Sequence, residues 1–320
     1  MKCKVAHACQ LSDSCEVKTG VRQGCLLSPF LFLLVIDWIM KTTTQGRNNG
    51  IQWTLTTQLD DLDFADDIAL LFHNNRQMQD KTSHLELTSA QTGLKINTKK
   101  TELMKLNTAI NTSITVAEAS IREVDSFTYL GSVIDKEGGT ENDVKARIGK
   151  ARAAYIMLKN IWSSKCICLN TKLRIFNSNV KSVLLYGCET WRMVKSPNRK
   201  LQTFINTCLR RISKIRWTDK VPNEEIWRQT KQEQIDTQIT RRKWGWIGHT
   251  FRKPASNTTR QALFWNPQGK RKRGRPRSTW RRNTKDELKK WGTTWQELQK
   301  TAQIRVRWRT VVDGLCSAMS

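Results

Sequence analysis

The sequence predicts an α+β fold, strand-rich in its first part and all-helical in its second, and three observations carry that expectation. Up to about residue 140, short apolar runs are broken by turn residues at close intervals. Beyond that point apolar residues recur at spacings of three and four. The charge divides at the same place: residues 1–140 hold 14 Lys and Arg against 16 Asp and Glu, and residues 141–320 hold 41 against 12. The net charges of −2 and +29 make up the +27 of the whole chain. A pI of about 10.1 points to a polyanionic partner. At 320 residues and 38% hydrophobic content, the chain is long and apolar enough for two domains with real cores.

The elements come in order. Residues 1–20 are short and mixed, with "CEVKTG" reading as a strand that runs into a glycine turn. Ser28 and Pro29 open a helix, a capping hydroxyl before a residue preset for the first turn. The run behind them, "FLFLLVIDWIM", is apolar nearly all round and predicts a buried helix. "IQWTLT" and "LDFADDIALLF" read as strands, and residues 76–91 as an amphipathic surface helix. "GLKINTKKTELMKL" adds a glycine stop and a strand, and "IREVDSFTYLGSVID" a strand pair closed by "KEGG". From residue 141, Val144, Ile148, Ala151, Tyr155, Leu158 and Trp162 form one helical stripe, with Arg147, Lys150, Arg152 and Lys159 off it. Further helices are predicted at about 171–187 with Asn170 as cap, 197–214 opened by Ser196-Pro197, 224–244, 279–291 and 294–313. The Gly/Pro-broken basic stretch near 266–278 reads as an exposed linker.

Chemistry concentrates in "LDFADDIALL" at 62–71, where Asp66 and Asp67 are adjacent within an apolar stretch. Burying carboxylates is costly unless a cation meets them. A tight turn between two strands projects neighbouring acids together. Magnesium is commonly held by one or two carboxylates plus substrate phosphates, the arrangement that phosphoryl transfer uses. The plainer reading is an ordinary polar turn in a β-hairpin.

Four segments in order tilt the balance: "TGVRQGCLLSPFLF" at 19–32, "FADD" at 64–67, "GLKINTKKTELM" at 93–104 and "FTYLGSVID" at 127–135. Together they resemble the reverse transcriptases of non-LTR retrotransposons. "RIFNSNVKSVLLYGCETW" and "KRGRPRSTWRR" resemble the region C-terminal to the polymerase in such elements. The resemblance implies a partial polymerase palm over residues 1–140, a helical thumb over 141–215 and a basic helical nucleic-acid-binding region over 216–320. It implies two-metal nucleotidyl transfer with Mg2+, deoxynucleoside triphosphates, an RNA template and a DNA primer or target. By the same resemblance, Asp66 is a metal ligand and Asp67 its companion. Arg22, Gln23 and Gly24 contact the incoming nucleotide and templating base, and Ser28 and Pro29 begin the helix behind the template. Gly93, Asn97, Lys100 and Thr101 lie near the triphosphate, with Lys100 as proton donor to pyrophosphate. Phe127, Tyr129, Leu130 and Gly131 form the primer grip. The plainer readings make Arg22 and Lys100 solvated charges and residues 127–130 sheet core.

The family's site has a third carboxylate, on a strand several tens of residues before the "GVRQG" turn. Only nineteen residues precede Gly20 here. Asp13 lies in the turn-like "LSDSC", Asp37 in the apolar helix, and Asp60, Asp61 and Asp63 crowd the hairpin itself. None takes the missing place, so the resemblance implies a site incomplete in this chain and a polymerase fragment inert as it stands.

The stretch 270–282, "KRKRGRPRSTWRR", holds eight Lys and Arg and no acid. Lys270, Arg271, Lys272, Arg273, Arg275 and Arg277 are candidate nucleic-acid contacts. The core Arg273-Gly274-Arg275-Pro276 resembles an AT-hook, whose arginines enter the minor groove of A·T tracts. A nuclear-localisation signal or unspecific phosphate clamp is the plainer reading. A second function class stands beside the polymerase: a non-catalytic nucleic-acid-binding protein derived from such an element. No C-x-x-C pairing marks a zinc site among the nine cysteines, which read as reduced thiols. The apolar run at 30–40 is shorter than the ~20 residues of a membrane span, and the N-terminal stretch has no signal-peptide core. The sequence thus predicts an intracellular protein, nuclear or cytoplasmic, neither secreted nor membrane-bound.

Overall fold

The structure is a computed structural model that describes residues 2–4, 6–7, 10–16, 24–44, 49–106, 112–192, 194–266 and 279–317. It is a mixed helix-and-strand fold, as the α+β expectation requires, in which the chain divides into two compact units, Met1–Leu130 and Gly131–Ser320.

In the first unit, helix Leu27–Thr44 packs Ile36, Ile39 and Met40 with Leu85 of helix Asn75–Gln91. The second helix starts where Asn74 accepts a hydrogen bond from the Gln77 amide at 2.9 Å, satisfying one of the first-turn donors. It is left through Gly93, whose φ of +76° suits glycine. Its inward stripe is Met78, Lys81, Thr82 and Leu85. Met78 also belongs to a second small core with Leu103, Ile114, Val116 and Ile121. The strands are shorter than the sequence suggests. "IQWTLT" contributes only Ile51–Gln52, paired with Gln58–Leu59, because residues 53–57 close into a turn tied by Thr54 and Thr57.

The Leu27–Thr44 helix corrects the expectation of a fully buried element. It opens at Leu27, one residue before the Ser28-Pro29 signal, and Ser28 is buried within it. Only one face is covered: Phe30, Leu31, Leu33, Leu34 and Trp38 are all exposed by 47–59%. An apolar circumference permits burial but does not supply packing partners. By length and composition the helix could cross a membrane, with a mean hydropathy of 1.3, which the shorter run at 30–40 did not suggest. The core helix of a soluble protein passes the same test.

In the second unit, helix Glu141–Met157 places Val144, Ala151 and Tyr155 in a large core with Phe176, Leu184, Leu201, Ile205 and Leu209. Arg147, expected off the stripe, is buried. It reaches the Gly131 carbonyl at 2.7 Å and lies over the Tyr186 ring at 4.4 Å. Its partner Asp143 accepts from the Val133 amide at 3.0 Å and from Trp191 Nε1 at 2.7 Å. A buried charge needs this kind of pairing.

Helix ends and breaks differ from the sequence reading in five places, the first at Leu158, which divides the stripe read through Trp162 into helices Glu141–Met157 and Lys159–Ser163. The helix predicted from 171 starts at Leu169 with Cys168 at its cap, and Asn170 lies inside it; it gives way after Ile175 to a π-helical stretch, Phe176–Lys181. The helix expected at 197–214 spans Lys195–Ile212, so Pro197 occupies the first turn, where its missing N–H costs little. The segment 224–244 is two helices, Asn223–Thr230 and Ile235–Phe251, separated at left-handed Lys231. The segment 294–313 is also two, Trp295–Ala302 and Arg305–Ser317. A final core gathers Trp244, Ile247, Phe251, Leu298 and Trp308. There Gly248 is required, because a Cβ would sit 2.0 Å from Trp308 Nε1. Lys243, nearly inaccessible, pairs with Glu287, which also accepts from Trp244 Nε1 at 2.8 Å.

Candidate functional site

The paired acids sit on a hairpin. Strands Asp61–Phe64 and Asp67–Leu70 run antiparallel, with Phe64 opposite Asp67 and Asp61 opposite Leu70. Ala65 and Asp66 form a two-residue turn, and Ala65 takes a φ of +56°. The favoured tight hairpin turns need a left-handed first residue, and an alanine there carries strain. The result puts Asp66 at the tip and Asp67 at the start of the return strand, both exposed. They do not bear the burial cost that the apolar flanks suggested. Neither carboxylate makes an ion pair with another described residue.

The open end of the hairpin is closed by a residue that the sequence did not single out. Lys81 is completely buried, and its ammonium donates to Asp60 Oδ1 at 2.5 Å, the Leu71 carbonyl at 3.0 Å and the Asp60 carbonyl at 3.2 Å. The Leu71 amide bonds the same Asp60 carbonyl at 2.8 Å. All three lysine protons are thereby used, and the strands are fastened to the Asn75–Gln91 helix. The signal was a lysine three residues after Met78 and four before Leu85, on the apolar stripe of that helix.

Of the proposed primer-grip residues, Tyr129 meets the hairpin: its hydroxyl donates to the Leu62 carbonyl at 3.1 Å. Burial first, then the charges of Asp67, Asp63 and Asp61, raise its pKa, so it remains a donor. Phe127 is half-buried and Leu130 exposed. Leu130 and Gly131 both have positive φ, +48° and +81°, forming a tight turn. Gly131 lies in the second unit, where its carbonyl accepts from Arg147 and from Lys150. Lys100 is exposed and lies in a turn, not a strand; its amide donates to the Asn97 carbonyl at 3.0 Å. No hydrogen bond or ion pair between described residues joins Lys100 to Asp66 or Asp67. Gly24 is exposed with φ +84°, Ser28 is buried, and Pro29 is exposed on the helix. Arg22 and Gln23 lie outside the described residues, as do Lys270, Arg271, Lys272, Arg273, Arg275 and Arg277.

Asp61 shows the electrostatic load of five aspartates in eight residues, 60–67. Desolvation, then Asp63 and Asp60, push its pKa to about 6, against the opposing pull of Lys81. A carboxyl whose folded-state pKa lies above its unfolded value of 3.8 holds its proton more tightly when folded. Stability from this group is therefore greatest at low pH and is lost as pH rises from about 4 to about 6. Urea midpoints measured across that range should fall more steeply for the wild type than for Asp61→Asn. Parallel curves would contradict the assignment.

Asp66 and Asp67 fit a hard divalent cation as part of a shell, being accessible oxygen donors without competing cations among the described residues. They do not make a complete protein cage: among the described residues no group of three or more His, Cys, Asp or Glu could hold a metal.

Residues 3–134 match the family model for reverse transcriptase (RNA-dependent DNA polymerase). Over that stretch the chain is similar to reverse transcriptases. A Caenorhabditis elegans protein described as transposon-derived is 27% identical over 241 residues, covering 72% of this chain and 85% of the relative. Together they support reading the chain as similar to a retrotransposon reverse transcriptase over this region. Residues 154–186 match a model for a domain of unknown function. The reverse-transcriptase match includes the carboxylate hairpin, the Lys81 helix, the Lys100 turn and Tyr129. It also includes helix Leu27–Thr44.

Proposed function

We propose that the chain is the palm and thumb part of an RNA-directed DNA polymerase of retrotransposon origin, and that it adds no nucleotides by itself. The observation that carries this reading is the reverse-transcriptase match over a hairpin whose tip presents two exposed carboxylates. In this reading residues 1–140 are palm, 141–215 thumb and 216–320 a basic nucleic-acid-binding region. Asp66 and Asp67 hold Mg2+, which when bound neutralises charge developing on the reacting phosphate oxygens. Arg22, Gln23 and Gly24 position the nucleotide and template, Lys100 serves the leaving pyrophosphate, and Phe127, Tyr129, Leu130 and Gly131 seat the primer. RNA template, DNA primer or target and deoxynucleoside triphosphates are the partners, within the nucleus or cytoplasm. Among the described residues no third carboxylate completes the shell, and removing one preorganised stabiliser of transition-state charge typically costs about 10²–10³ in rate.

A second reading, a non-catalytic nucleic-acid-binding protein, is favoured by the segregation of a net charge of +29 into residues 141–320. Primer extension by the purified chain on an RNA template with Mg2+ tests the first. Template–primer binding without extension is expected. Processive synthesis that Asp66→Asn abolishes overturns the claim of inertness. Nucleic-acid function untouched by Asp66→Asn but removed with Lys270–Arg277 favours the second.

A further inference from the structure

In the second unit a cavity of about 670 Å³ opens between helices Glu141–Met157 and Lys195–Ile212. Its size falls within the range of about 300–1,000 Å³ common for ligand pockets. Four cations, Arg152, Arg199, Lys200 and Arg211, line it, and no acidic residue does. All four are exposed. None forms an ion pair with a described carboxylate. The floor is apolar: Ile148, Tyr155 and Phe204, with Cys208 beneath.

We infer that this groove binds single-stranded nucleic acid, taking an unpaired base against its apolar floor while the cations hold the flanking phosphates. The inference rests on the nucleic-acid-handling reading above and adds a site to it.

Three features support a strand over other occupants. Lys200 and Arg211 are eleven residues apart on one helix, about 16 Å at 1.5 Å per residue. Cations spread over that length meet successive phosphates, not a single anion. The floor is also concave and apolar. A duplex turns its bases inward and offers only backbone to such a surface, whereas an unpaired base offers a π-face that aromatic and apolar side chains accept. The floor is preorganised as well. Tyr155 stacks on Trp162 with ring centroids 5.2 Å apart, and Trp162 Nε1 donates to the Tyr155 carbonyl at 2.7 Å. Burial holds the Tyr155 hydroxyl protonated, pushing its pKa to about 12, so it brings no negative charge to the groove.

The test uses fluorescence anisotropy of the full chain with a labelled single-stranded oligonucleotide and with the matching duplex. The triple variant Arg152→Gln, Arg199→Gln, Arg211→Gln should bind the single strand at least about tenfold more weakly. Its salt slope should be shallower by about 2, at ~0.7 per lost phosphate contact on single strands. Duplex affinity should change little. Ile156→Glu, at a position exposed by 61%, places a carboxylate at the groove without disturbing the core and should also weaken single-strand binding selectively. Unchanged single-strand binding in both variants overturns the inference, as does equal weakening for single strand and duplex, the mark of an unspecific phosphate surface. A chain that binds no nucleic acid at all overturns the broader reading together with this one. Selective single-strand loss in the groove variants, with binding through the intact 270–277 run retained, supports the groove specifically.

Discussion

Replacing Lys81 with methionine should lower the unfolding free energy of the first unit by about 3–5 kcal/mol. The side chain is fully inaccessible, and its ammonium satisfies Asp60 Oδ1 and two carbonyls. Removing it leaves a largely buried carboxylate without its cation and takes the donor from the Leu71 carbonyl, while the Asp60 carbonyl keeps only the Leu71 amide. A typical domain is stable by only about 5–15 kcal/mol, so the loss should be visible as early unfolding in urea. Restoring charge balance with Lys81→Met and Asp60→Asn together should recover part of it, because replacing both partners of a buried pair costs far less than removing one. A change below about 1 kcal/mol in the single variant would mean that the ammonium does not anchor the hairpin.

Neutralising Lys270, Arg271, Lys272, Arg273, Arg275 and Arg277 to glutamine should have the largest effect on binding to duplex DNA. Each phosphate contact contributes about 0.9 to the slope of log affinity against log salt, so six lost contacts make the slope shallower by about 5. Between 50 and 200 mM salt the wild type should lose about 10³-fold more affinity than the variant. Electrophoretic mobility shifts across that range measure it. If the "RGRP" segment enters the minor groove, changing Arg273 and Arg275 alone should flatten any preference for A·T tracts. An unaltered salt slope in the six-fold variant would remove this run from the binding surface.

Features written in local sequence were legible. The carboxylate hairpin could be read because two acids interrupt an apolar alternation over a few residues. The Asn74-capped helix and the Val144–Tyr155 stripe carry their signals within one or two turns. The features that the sequence concealed depend on partners far along the chain. Lys81 and Arg147 look like solvated charges until Asp60 and the Gly131 carbonyl are brought to them. The helix break at Lys231 has no glycine or proline to announce it, since a lysine adopts the left-handed conformation there. The exposed side of Leu27–Thr44 was hidden for the opposite reason: apolar composition shows what a face could bury, and only packing shows what covers it. Asp66 and Asp67 were found by their neighbours in sequence, yet their exposure came from a turn at a strained alanine.

The most direct test of the account is manganese titration followed by paramagnetic broadening of backbone amide signals. Substoichiometric Mn2+ should broaden residues 64–68 first, magnesium should compete it away, and Asp66→Asn with Asp67→Asn should abolish it. Broadening that persists unchanged in that double variant, or that centres on Asp60 and Asp61 instead, would contradict the claim that the hairpin tip grips the catalytic cation.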